Sequence, residues 1–168
     1  NIHDEGLGFE PIHRVAFGLS PEEFYAAAGK FFANQGFMFM PEEDWYANKP
    51  AAAKGAQVIG VVSGQDRYIA VLNHPAHTLA VGSLQNMLDQ LLKERTNVRI
   101  DYIHGEDSVL ALSVAGNTGF LLPAISKDSF FKTVTAEGVF PRKTFSMGEA
   151  FEKRYYMEAK RITREDSL

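Results

Sequence analysis

The stretch QVIGVVSGQDRYIAVL, Gln57–Leu72, holds two apolar runs, Gln57–Val62 and Arg67–Leu72, around Ser63-Gly64-Gln65-Asp66. β-Branched and aromatic residues flanking a short Gly-containing turn predict a β-hairpin. A tight turn can join only antiparallel neighbours, so the hairpin commits part of the sheet to antiparallel pairing. Upstream, Phe9–Phe17 alternates loosely, with Ile12, Val15 and Phe17 apolar and His13 and Arg14 polar, and reads as a first strand. Ser20-Pro21-Glu22-Glu23 is a helix start in which the Ser20 hydroxyl and the Glu23 carboxylate can cap each other's backbone N–H groups. Phe24, Ala28, Phe31 and Phe32 would then face the core, with Gly36 as the stop. Phe37–Met40 is a short apolar run halted by Pro41, and the stretch through Trp45 to Gly55 is expected to be irregular, with one helical turn at most.

Downstream, Ser83 is expected to open the clearest helix. Leu84, Met87, Leu88, Leu91 and Leu92 recur at helical spacing as one apolar stripe. Val98–Ile103 reads as a strand, Glu106–Ala115 as a short helix ended by Gly116-Asn117, and Gly119–Leu122 as a brief buried strand. Ser126–Glu137 is expected to be a capped helix, and Arg154–Ile162 a strand or a helix, with Tyr155 and Tyr156 favouring strand. A hairpin combined with helix-separated strands predicts an α+β fold, a mixed and largely antiparallel sheet with helices packed on it.

Bulk properties narrow the function. The 168 residues suit one domain spanning 1–168, with 45% hydrophobic and 23% charged residues. The absence of cysteine excludes disulfides, thiolate metal sites and a cysteine nucleophile, and fits a cytoplasmic location. No apolar run reaches the length of a bilayer span, so no membrane role is expected. Asn1-Ile-His-Asp-Glu-Gly is not a secretory signal and reads as a point inside a longer protein, with this chain on its C-terminal side. A net charge of −4 disfavours nucleic acid as a partner. From Pro141 to Arg164, however, seven basic residues stand against three acidic ones, a basic end able to face an anion or an acidic neighbour.

Three clusters could carry chemistry. His74 and His77 could share a metal on a helix, but Pro75 pushes His74 out of helical geometry, and no metal is assigned there. His104, Glu106 and Asp107 lie where a strand ends and a helix begins; an imidazole beside carboxylates can serve as general base, although acidic residues at a helix start also simply complement its dipole. Arg142, Lys143, Thr144 and Ser146, followed by Gly148, combine two cations and two hydroxyls in a loop suited to gripping a phosphate or carboxylate. A solvated surface loop is the plainer alternative.

Three blocks, Asn1–Arg14, Arg99–Asp107 and Pro141–Ala150, occur in the order that resembles the C-terminal half of the bacterial and archaeal proteins grouped as domain-of-unknown-function family 1015. The resemblance runs over essentially the whole chain. It implies an upstream domain similar to the ParB-like superfamily, which includes chromosome-partition proteins and kinases of free serine. Phosphoryl-transfer chemistry, with ATP or ADP and Mg, would then reside in the intact protein and no cofactor in this domain. Other branches of the family carry a Lys-Ser-Thr segment followed by an aromatic residue and Pro-Lys where this chain has Lys143-Thr144-Phe145-Ser146-Met147-Gly148; the second lysine is absent, and no catalytic residue is carried over. The resulting expectation is a domain that completes or supports the site of a small-molecule phosphotransferase, with the upstream domain and a small anionic substrate as partners. The alternative is a non-catalytic scaffold or dimerisation domain; partition-type nucleic-acid binding is a weaker third reading.

Overall fold

The computed structural model describes residues 10–48 and 54–126. Six strands and four helices follow in the order β1 (His13–Phe17), α1 (Pro21–Phe31), β2 (Phe37–Pro41), α2 (Glu42–Asn48), β3 (Gln57–Ser63), β4 (Asp66–Leu72), α3 (Ala80–Glu94), β5 (Arg99–Ile103), α4 (Glu106–Leu112) and β6 (Thr118–Leu121). The strands form one sheet in the order β2-β4-β3-β6-β1-β5, and every pairing is antiparallel. The fold is α+β, as the hairpin and the helix-separated strands imply. That hairpin is β3–β4, in register from Gln57 opposite Leu72 to Ser63 opposite Asp66. Gly64, at φ +60°, occupies the left-handed conformation that its turn requires.

One face of the sheet carries the main core. Ala16, Ile59, Val61, Ala70, Leu72 and Phe120 point from the strands toward Phe24, Ala28 and Phe32 of α1 and its end, and toward Leu84, Met87, Leu88 and Leu91 of α3. Each of these strand residues is separated from the next on its own strand by two positions, the parity that one buried face demands. On the opposite face Val15 and Val62 meet Val109 of α4, with Phe17, Ile103 and Leu121 around them. Because both faces of β1 are covered, its residues are buried without a clean alternation.

Helix α1 starts as its sequence dictates. Ser20 Oγ accepts from the Glu23 N–H at 3.1 Å, Glu23 Oε1 accepts from the Ser20 N–H at 2.9 Å, and Pro21 opens the first turn. The Ser20 N–H holds the Glu23 carboxyl below the usual carboxylate range. Arg95 closes the corner with an ion pair to Glu23 at 3.1 Å.

Several boundaries depart from expectation for identifiable reasons. Phe9 lies outside the described residues, and β1 begins at His13. Helix α1 ends at Phe31 rather than Gly36, which instead turns the chain at φ +65° into β2; Phe31 is 38% exposed while Phe32 takes the core position. The stretch after Pro41 is a two-turn helix, α2, with Glu42, Glu43 and Asp44 in its first turn, favourably placed against the helix dipole. Helix α3 begins at Ala80, not Ser83. The Ser83 hydroxyl does not cap; it donates to Gln57 Oε1 at 2.6 Å inside the core. Helix α4 stops at Leu112, where the Ser113 N–H closes the last turn onto Val109. The helix expected from Ser126 and the element expected at Arg154–Ile162 lie outside the described residues.

Candidate functional site

The register of the sheet's far side builds a polar corner where β1 begins, β5 ends and β6 ends. Arg14 lies opposite Phe120 of β6 and Tyr102 of β5, on the face covered by α3. Its side chain is fully buried. Arg14 Nε donates to Gln85 Oε1 of α3 at 3.0 Å, Nη1 donates to the Ile12 carbonyl, and the guanidinium lies 4.7 Å from the centre of the Tyr102 ring. A planar cation held edge-on by acceptors and face-on by an aromatic ring uses both of arginine's recognition modes. Gln85 extends the chain of contacts. Its Nε2 donates to Asp89 Oδ1 at 2.8 Å, one helical turn on, and to the Tyr102 hydroxyl at 3.3 Å. Among the described residues no buried side-chain nitrogen or oxygen lacks a partner.

The neighbouring residue, His13, points to the other face of β1 and is equally enclosed at 5% exposure. Its Nδ1 accepts the Leu122 N–H at 3.0 Å, which fixes that nitrogen as unprotonated. Burial, the Arg14 charge and His104 together push the His13 imidazole down to about 4. It is therefore neutral at physiological pH. His104 follows Ile103, the residue paired with His13, and leaves the sheet at the same corner. Gly105, at φ +86°, then turns the chain into α4, whose first turn carries Glu106 and Asp107 at the surface.

Of the residues singled out from sequence, His104, Glu106 and Asp107 thus lie together at the end of β5. Arg142, Lys143, Thr144 and Ser146 lie outside the described residues. His74 and His77 sit in the loop before α3, which borders a cleft of about 750 Å³ that also takes in Lys54, Gln57 and Pro123. His77 Nδ1 accepts the Leu79 N–H at 3.0 Å and its ring packs on the backbone of Gly82, where a side-chain carbon would overlap it. The His77 carbonyl accepts from Gln57 Nε2 at 2.7 Å, so this loop is tied to β3. Among the described residues no three His, Cys, Asp or Glu side chains converge as metal ligands.

Sequence reasoning passed over Arg14, Gln85 and Tyr102. Arg14 shares its face with Ile12 and Ala16, so parity alone marks it as inward-facing. The apolar residues of the other parity, Val15 and Phe17, masked that signal because their face is covered too. Gln85 follows Leu84 on α3 and is 2% exposed, a polar residue on the buried side of an otherwise apolar stripe.

Compared with protein-family models, with curated proteins and with solved structures, the chain finds no match.

Proposed function

We propose that this domain supports the active site of a small-molecule phosphotransferase of the free-serine-kinase type, presenting one corner of its sheet to an anionic substrate. The observation that carries this reading is the gathering of His104, Glu106 and Asp107 at the end of β5, directly beside the enclosed Arg14–His13 pair of β1. The sequence resemblance to family 1015 supports the same reading. In the proposed reaction the serine hydroxyl oxygen forms a bond to the terminal phosphorus of ATP or ADP, and the bond from that phosphorus to the nucleotide's bridging oxygen breaks. The hydroxyl proton passes to His104, with Glu106 orienting the imidazole. Lys143 and Arg142, with Thr144 and Ser146 as hydroxyl donors, hold the substrate carboxylate or the phosphoryl group in transfer. Positioning and charge neutralisation are most of what phosphoryl transfer requires, and these residue types supply both. Nucleotide and magnesium belong, in this reading, to the upstream domain.

Arg14 and His13 act behind the site. A cation locked by Gln85 and Tyr102 cannot swing out to grip a ligand, and a neutral His13 tied to Leu122 keeps the start of β1 fixed against β6. The test is kinetic. In the intact protein, Lys143→Ala should raise KM for serine, and His104→Ala should lower kcat about 100-fold, in line with loss of a general base. Unchanged KM and kcat in both variants would remove this domain from the site. The scaffold reading keeps one structural support, the apolar edge of the sheet at β2; nucleic-acid binding has only the basic segment beyond Pro141. An isolated domain that binds no DNA at low salt would exclude the latter.

A further inference from the structure

Strand β2 is the sheet's outer strand on the side away from the polar corner, and among the described residues it pairs only with β4. The Asn73 N–H donates to the Gly36 carbonyl at 3.2 Å, which makes Gly36–Asn73 a hydrogen-bonded pair just ahead of the strand. Alternation along an antiparallel ladder then gives Met38 and Met40 to β4, and turns the N–H and C=O groups of Phe37 and Phe39 outward. Pro41 ends this outward row and has no N–H to offer. Edges of this kind are ordinarily blunted by charge, a bulge or a covering element. Here Phe37, Met38, Phe39 and Met40 are all partly exposed and uncharged. Their flank extends the apolar surface: Tyr25 of α1, 53% exposed, stacks on Phe39 at 5.5 Å, and Phe39 stacks on Tyr68 at 4.9 Å.

The charges at the two ends of β2 differ in sign. Lys30, in the last turn of α1, borders the same groove as Phe37 and Phe39 and stands at the strand's beginning. Glu42, Glu43 and Asp44 stand at its end. Among the described residues Lys30, Glu42 and Glu43 form no ion pair within the chain. Laying a second β2 antiparallel to the first brings each Lys30 toward the other's acidic end. Parallel pairing would set like against like. We propose that β2 is an interface between two copies of this chain, its edge pairing antiparallel with the same edge of a second copy about a twofold axis. A twofold at Met38 sets Phe37 opposite Phe39 of the second copy, matching each outward N–H with an outward C=O and leaving Pro41 beyond the paired residues. Such a contact is self-complementary and closes as a dimer.

The test combines sedimentation of the chain with amide exchange. At about 100 μM the protein should sediment as a dimer that dissociates on dilution, with protection of the Phe37 and Phe39 amides lost in parallel. Lys30→Glu, at an exposed site, should leave the circular dichroism unchanged and raise the dimer Kd about tenfold. Adding Glu43→Lys to that variant should restore association. A monomer throughout would overturn the proposal, and Phe37 and Phe39 amides protected at every dilution would show the edge covered by this chain's own segment and overturn it as well. A dimer indifferent to both charge reversals would place the interface elsewhere and overturn it equally.

Discussion

Gln85 of α3 accepts a hydrogen bond from Arg14 Nε at 3.0 Å, and the weight of that bond is measurable. Gln85→Leu leaves the Arg14 Nε–H without its acceptor in a place water does not reach, and should lower unfolding free energy by about 2 kcal/mol. In the double variant Arg14→Met, Gln85→Leu both partners become apolar, so the cost should fall well short of the summed single effects; denaturant unfolding of the four proteins gives the coupling. Strict additivity would deny the contact. His13 makes a second residue-level prediction, through pH. Its folded-state pKa, about 4, lies below the ordinary 6.5, so between those values the unfolded chain binds the proton that the folded chain refuses. The contribution is intact above pH 6.5 and lost as pH falls, by about 2 kcal/mol at pH 5. His13→Asn should flatten the unfolding free energy over that interval relative to the parent; an equally steep dependence in the variant would assign the proton elsewhere.

Among the elements, α4 and β6 meet without slack. Gly119 of β6 lies against Ser113 and Val109, so a methyl group there overlaps the Ser113 hydroxyl that caps the end of α4 by donating to the Val109 carbonyl at 2.6 Å. Gly119→Ala should cost about 3 kcal/mol, the scale of core overpacking, and should be seen as a lowered Tm. A neutral effect would mean that α4 shifts freely over the sheet. Element identity was largely legible in the sequence: the hairpin turn, the Ser20–Glu23 capping box and the leucine stripe of α3 are local signals, and each marks the element it belongs to. What was illegible was non-local. Ser83 looked like a cap because nothing in its neighbourhood reveals Gln57, 26 residues away, as its acceptor. Phe31 and Phe32 compete for one core position, and only the place where α1 ends decides between them.

At the scale of the molecule, the sheet separates two unlike ends. One side, at β5, gathers His104 and the α4 carboxylates beside the buried Arg14–His13 pair; the other, at β2, is apolar and, among the described residues, pairs on one side with β4 and on the other with no strand. The α+β class and the antiparallel bias followed from sequence, whereas the strand order did not. That order requires β6 to insert between β3 and β1, a choice made by packing on both faces and not by any local motif. The candidate site was half legible for the same reason. His104, Glu106 and Asp107 are contiguous and could be read directly, but Arg14 joins them only through the β1–β5 register. The decisive measurement is formation of phosphoserine from free L-serine by the intact protein supplied with magnesium and ATP or ADP. A domain that supports a free-serine kinase gives product with one of the two nucleotides, and His104→Ala, at unchanged fold, loses it. No product with either nucleotide would contradict it.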